Sequence, residues 1–275
     1  MEFRPRLPEE GINVSRTHPL REALLLVGGV LAVAALVVVI GALAVDLLVP
    51  HVPARWEVRM FGALWSDADE DDLDEEARRQ RAELQTLVDR LAAHWPDSPY
   101  PFRISVLEES TPNALAFPGG LIGVTSGLLE GVESENELAF VLAHELGHFR
   151  HRHHLRSLGR GVVLSVVVSV VLGGGGTSAS ELLELAPMLA ERSFAREQER
   201  EADEFGLELV YLEYGHVAAA GDFFERIATP KTRLVRQVEG YFSTHPVNLE
   251  RIEDLETLAR EHDWPRSGEL RPFSN

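Results

Sequence analysis

Three kinds of hydrophobic pattern alternate along this chain. Between Glu22 and Asp46 no charge interrupts a run of mostly Leu, Val and Ala. At about 1.5 Å per residue such a run crosses a hydrocarbon core about 30 Å thick, so residues 23–47 are expected to form one transmembrane helix, ended by Pro50 and Pro53. The second pattern is helical. Leu84, Leu87, Val88 and Leu91 share one face of a helix expected from about Asp74 to His94 and stopped by Pro96. Leu138, Val141, Leu142 and Leu146 repeat that spacing behind Ser134-Glu135-Asn136-Glu137, a capping-box pattern. The third pattern is alternation: Phe102–Leu107 leads through Thr111-Pro112-Asn113 to a second short strand, and Gly119-Gly120 turns into Leu121–Thr125. Helical patterns return at Glu204–Tyr214 and Val217–Ala228, and a last helix begins near Asn248; the tail after Trp264 has no readable pattern.

The expected fold is mainly α with a small mixed or antiparallel β-sheet (α+β), preceded by one N-terminal transmembrane helix. The expected organisation is an N-terminal cytoplasmic segment over 1–22, the membrane helix over 23–47, a linker over 48–73 and a folded domain over 74–275. Trp56, Phe61 and Trp65 are expected to dock on the domain in preference to lying at the membrane interface. Asp67–Glu76 reads as a solvated linker; it fails as a calcium loop because Asp72 and Arg78 stand where an EF-hand needs Gly and Glu. Val162–Leu172 is apolar but too short to span a bilayer, so a buried helix flanking the cleft is expected ahead of a hairpin dipping into the membrane. The glycines Gly173–Gly176 and the residues Thr177–Ser180 read as a gate.

Charge and composition narrow the function classes. Arg16 and Arg21 directly precede the apolar run, with Arg4 and Arg6 further back, whereas Arg55 and Arg59 follow at more distance. This places the N-terminus in the cytoplasm and the domain across the membrane. A cleaved signal peptide, with Ala42-Leu43-Ala44 at the cleavage site, is the competing reading; the run is longer than a signal core and follows a polar segment. A net charge of −18 argues against nucleic-acid binding. With no cysteine, disulfides and thiolate ligands are excluded, so any metal must be held by nitrogen and oxygen. Lys231 is the only lysine.

The chemistry concentrates in His144-Glu145-Leu146-Gly147-His148. Residues four apart share a helical face, so both imidazoles reach one cation while Glu145 faces a water instead. Two neutral imidazoles suit Zn²⁺, and a catalytic site needs a third protein ligand and an open position. In a gluzincin that ligand is a Glu on a second helix. Ala195-Arg196-Glu197-Gln198-Glu199-Arg200-Glu201-Ala202-Asp203 fits such a helix. Glu199 and Asp203 face the same way, so Glu199 as ligand leaves Asp203 to hold the free nitrogen of a ligand histidine; Glu197 and Glu201 point elsewhere. The rival reading of this segment is a charged solvent face. His151, His153 and His154 read as a wet, basic helix end in preference to a second metal site.

These segments, with Ser243-Thr244-His245-Pro246, Arg251-Ile252 and the Asn113–Gly120 stretch, occur in an order that resembles one family: the membrane-associated zinc metallopeptidases related to HtpX, BepA, Oma-type and CAAX-prenyl proteases. The resemblance covers roughly residues 74–260. It implies a zincin-like (minigluzincin) fold and one Zn²⁺ per chain, held by His144, His148 and Glu199. It further implies Glu145 as general base, Asp203 and Arg251 behind the ligands, and His245 either stabilising an oxyanion or capping the metal. Ala195 stands where that family often has Ser.

The implied function is a membrane-anchored zinc endopeptidase of misfolded or envelope proteins in a bacterial inner membrane. Glu145 would activate a zinc-held water, and an extended peptide would add along Asn113, Ala114, Leu115 and Ala116. The partners are thus protein or peptide substrates and a bilayer around residues 23–47. The alternative is a zinc-containing chaperone-like or self-inhibited protein with His245 over the metal.

Overall fold

A computed structural model describes residues 18–62, 75–173, 196–228, 245 and 249–273. Helix α1 (Pro19–Leu48) contains the expected membrane segment, buries none of its residues and is long and apolar enough to cross a bilayer. A short 3₁₀ turn at Val49–His51 and helix α2 (Ala54–Phe61) follow. Trp56 is 63% exposed on α2, against the expectation that it docks on the domain. Trp65, most of the acidic linker and the glycine-rich gate at 174–180 lie outside the described residues.

Helix α3 (Glu75–Ala93) buries Leu84, Leu87, Val88 and Leu91, the four residues its spacing aligned. Each such side chain contributes about 2 kcal/mol on leaving water. Strands β1 (Arg103–Leu107), β2 (Ala114–Phe117) and β3 (Leu121–Thr125) form a mixed sheet in the order β1-β3-β2. β1 is parallel to β3 and β2 antiparallel to it, with Leu115 opposite Gly123 and Ala116 opposite Ile122. Gly119 and Gly120 turn β2 into β3 at φ of 94° and 99°, which only glycine adopts without strain. β2 is therefore an edge strand among the described residues.

Helix α4 (Ser126–Gly131) leads to α5 (Glu135–Arg150), which is buried from Asn136 to Phe149 and forms the axis of the domain. Half of its expected capping box is present: Ser134 Oγ accepts the Glu137 N–H at 3.3 Å. The Glu137 carboxylate instead takes the Glu133 N–H at 3.0 Å and pairs with Arg226. Helix α7 (Arg196–Tyr214) crosses α5, and α8 (Asp222–Ala228) and α9 (Leu249–Glu261) close the core. The helix expected from Val217 starts only at Asp222, because the chain turns at Gly215 (φ 76°) and Ala219 (φ 63°). The patternless tail is used as well. Arg271 O accepts the Glu135 N–H at 3.0 Å, and Arg271 N–H donates to Asn136 Oδ1 at 2.8 Å.

Helix α6 (His153–Val171) corrects another expectation. It is not buried beside the cleft: Val170 is 72% and Leu172 80% exposed. It runs antiparallel along the second half of α1. Gly41 faces Val163, Gly159 faces Val45, and Arg160 binds both oxygens of Asp46 at 2.7 Å. The apolar face of α6 is thus continuous with that of α1, and α6 is one 19-residue helix, itself long and apolar enough to cross a bilayer, against the expectation of a short buried helix.

Candidate metal centre

The site depends on how closely α5 and α7 approach. A Cβ on Gly147 would stand 2.7 Å from the Cα of Ala202, and one on Gly206 would stand 3.0 Å from the backbone nitrogen of His144. Gly147, Ala202 and Gly206 therefore let the two backbones touch, and the side chains beside them meet. About forty residues beyond that crossing, His245 and Arg251 enter from the C-terminal side.

His144, Glu145, His148, Glu199, Asp203, His245 and Arg251 are all buried and converge. The Nε2 atoms of His144 and His148 lie 3.0 Å apart. Glu199 Oε1 is 3.5 Å from His148 Nε2, and Glu199 Oε2 is 3.7 Å from His144 Nε2. His245 Nδ1 stands among them, 3.2 Å from His144 Nε2 and 3.2 Å from Glu199 Oε1. Donors so close need a cation or protons between them, and a set of imidazoles and a carboxylate fits a divalent metal.

Behind this cluster, hydrogen bonds fix which nitrogen faces inward. His144 Nδ1–H donates to Asp203 Oδ1 at 2.8 Å, which leaves the Nε2 lone pair for the centre. Asp203 is itself gripped by Arg251, through Nε at 2.8 Å and Nη2 at 2.7 Å. Burial works against its charge, but Arg251 and His144 outweigh it and hold the carboxyl at about 2. Arg251 Nη1 also lies 2.7 Å from Glu199 Oε2. Burial opposes ionisation of Glu199, yet His245 and Arg251 keep it below the usual carboxylate range. His148 is pushed well below the ordinary imidazole range by burial, then by His144 and His245, so it stays neutral as a ligand must.

Glu145 is different. Both its carboxylate oxygens are buried without a hydrogen bond of ordinary geometry, and His245 Nε2 is 3.5 Å from Oε1. Burial lifts its carboxyl to about 8, with His144 opposing and Glu199 adding to the rise. Such a carboxylate suits proton transfer near neutrality. The backbone of Ala116 on β2 lies against it. Along that strand Ala114 is buried opposite Val124, and Asn113 anchors the start: its N–H donates to Thr125 Oγ1 at 2.7 Å and its carbonyl accepts from Thr125 N at 3.0 Å. Glu197 and Glu201 do point away from the cluster, whereas Ala195, Ser243, Thr244 and Pro246 lie outside the described residues.

Sequence reasoning missed two groups next to this centre. His153 and His154 are buried, not a wet helix end. His148 Nδ1 meets His153 Nδ1 at 3.0 Å, and His153 Nε2 meets Glu201 Oε2 at 3.0 Å. With Glu201 accepting from His153 Nε2–H, His153 Nδ1 accepts from His148 Nδ1–H, and the His148 Nε2 lone pair faces the cluster. The second group surrounds Glu57 of α2, which is 1% exposed. Its carboxylate takes His154 Nε2 at 2.7 Å, Arg152 Nη2 at 3.0 Å, the Tyr100 hydroxyl at 3.0 Å and the Gly119 N–H at 3.0 Å. Arg152, in the left-handed region at φ 58°, also donates to the carbonyls of Val49 and Val52. It thereby ties the end of the apolar helix to the end of the metal-site helix. The available signal was the single acid of α2, Glu57, in the short helix that follows the apolar run.

The model of peptidase family M48 matches residues 78–259. A putative β-barrel assembly-enhancing protease of Vibrio cholerae is 30% identical over 189 residues, 65% of this chain and 39% of that protein. A protease HtpX homolog of Salinibacter ruber is 29% identical, covering 74% of this chain and 80% of the relative. The mitochondrial metalloendopeptidase OMA1 of Schizosaccharomyces pombe is 30% identical over 63% of this chain and 51% of its own length. The chain thus spans about two fifths of the length of the β-barrel assembly-enhancing proteases it matches.

Proposed function

The chain belongs to peptidase family M48, and from that membership we propose that it is a membrane-anchored zinc endopeptidase acting on misfolded or envelope proteins. The observation that carries this reading is the convergence of His144 Nε2, His148 Nε2 and Glu199 beside a buried Glu145 whose carboxylate oxygens make no hydrogen bond of ordinary geometry. His144, His148 and Glu199 would hold one zinc. Zinc bound there would supply Lewis acidity and acidify a water from about 15.7 toward about 7.

The remaining chemistry belongs to side chains of this chain. Glu145 takes the proton of the attacking water and delivers it to the leaving amine, the role its raised carboxyl pKa fits. Asp203, locked by Arg251, keeps His144 in the tautomer whose Nε2 faces inward. His245 is placed within 3.5 Å of Glu145 and so beside the reacting carbonyl, where an N–H stabilises negative charge on oxygen. The edge of β2 accepts the substrate as an added extended strand. Main-chain pairing there binds with little dependence on sequence, which suits unfolded chains.

Helix α1 would span a bacterial inner membrane with the N-terminus in the cytoplasm and the domain on the far side. The apolar end of α6 would lie beside α1 within the layer, over about 17 Å between Arg160 and Val171. Asp46 and Arg160, paired at 2.7 Å, would mark the interface.

A second reading has an observation of its own. His245 Nδ1 is as close to the centre as the ligands are. As a fourth ligand it would cap the zinc, and the protein would rest in a self-inhibited or chaperone-like state. Removing metal from the full chain in detergent with a chelator, then restoring zinc, tests the enzyme: casein cleavage should vanish and return. Cleavage that survives zinc-free dialysis would overturn it. Faster cleavage by His245→Ala than by the parent would identify the capped state.

A further inference from the structure

We propose that His151, His153 and Glu201 form a second divalent-cation site. His151 closes α5, His153 opens α6 and Glu201 comes from α7. Each offers one ligand atom, and these atoms all lie within 4.8 Å of one another. His153 Nε2 and Glu201 Oε2 are already 3.0 Å apart, and the His151 and His153 rings are stacked at 5.4 Å between centroids. Two imidazoles and a carboxylate make a zinc-type donor set, with water to complete a tetrahedron. The Glu201 side chain is 42% exposed and His151 is half-buried, so a cation enters from solvent without opening the core.

The other face of His153 reaches the first cluster: its Nδ1 stands 3.0 Å from Nδ1 of His148. A cation at the second site would therefore be held by an imidazole that also touches His148, while the existence of the second site does not depend on the assignment of His148 as a ligand.

The test uses the full chain in detergent, loaded with one equivalent of zinc, and its His151→Ala variant, with zinc titration by calorimetry reading the stoichiometry. The parent should take up a second equivalent. His151→Ala, and His151→Gln, which keeps a polar side chain, should bind only the first. A parent that binds one equivalent only, or variants that keep the second equivalent, would overturn the site. If the parent never cleaves casein, the endopeptidase reading fails, while the calorimetric comparison still decides the second site.

Discussion

Gly147 of α5 and Ala202 of α7 are in backbone contact, so that a Cβ on residue 147 would fall 2.7 Å from both the Cα and the carbonyl oxygen of Ala202. This contact sets the distance between the helix that carries His144 and His148 and the helix that carries Glu199 and Asp203. Gly147→Ala has no flexible side chain to push aside; the helices must separate. The expected cost is about 1–3 kcal/mol of stability, with zinc affinity reduced by more than about tenfold. Metal content after dialysis against a graded chelator checks it, and unchanged retention would show that the crossing does not set the ligand geometry.

Asp203 is predicted to act chiefly through His144, which it touches directly. Asp203→Asn keeps the shape but loses the charge that holds the His144 Nδ1 proton and neutralises Arg251. Zinc should bind about 10- to 100-fold more weakly, as with other partners that orient a ligand histidine. Glu201→Gln, one imidazole further from the centre, should weaken it less. Equal losses in the two variants would contradict the difference in directness between the two hydrogen-bond paths.

Much of this arrangement was legible in the sequence, for physical reasons that differ by element. The α3 face and the α5 helix follow from apolar spacing, and the order of strands and turns from alternation and paired glycines. Helical periodicity grouped Glu199 with Asp203, the family resemblance singled out Glu199, and the structure puts Glu199 and Asp203, not Glu201, against His144. The environments of His153, His154 and α6 were not legible. Their neighbours are distant in sequence: Glu57 lies 97 residues from His154, and α1 supplies the surface along α6. A local pattern of His and Arg reads as solvated until the carboxylates that bury it are known.

Glu57 gives a pH signature. Burial opposes its charge, but His154 first, then Gly119 and Arg152, hold its carboxyl at about 2 against an ordinary 4.5. A carboxyl with a depressed folded value contributes stability above the unfolded value and loses it as pH falls through the folded one. The contribution, about 3 kcal/mol at neutral pH, should therefore disappear between roughly pH 4.5 and 2. Glu57→Gln should be less stable than the parent at pH 7, and the gap should close across that window. Thermal unfolding in detergent at several pH values measures it; a gap constant down to pH 2 would contradict the buried ion-pair account.

The helix pair α1–α6 should depend on small residues where the two touch. A Cβ on Gly159 would meet Val45 Cγ1 at 2.8 Å. Gly159→Leu should separate the helices near the Asp46–Arg160 pair without touching the metal centre. Disulfide trapping between cysteines placed at Gly41 and Val163 should succeed in the parent background and fail in the Gly159→Leu background. Efficient trapping in both would show that the pair does not rely on this contact.

The most direct test of the central claim measures bound zinc and casein cleavage together, on the full chain and its Glu145→Gln variant. The account predicts one tightly held zinc in both, cleavage by the parent, and cleavage by the variant reduced by at least about 10²-fold. Zinc retained by both with equal cleavage would remove Glu145 from the reaction, and a parent that binds no zinc would contradict the metal centre itself.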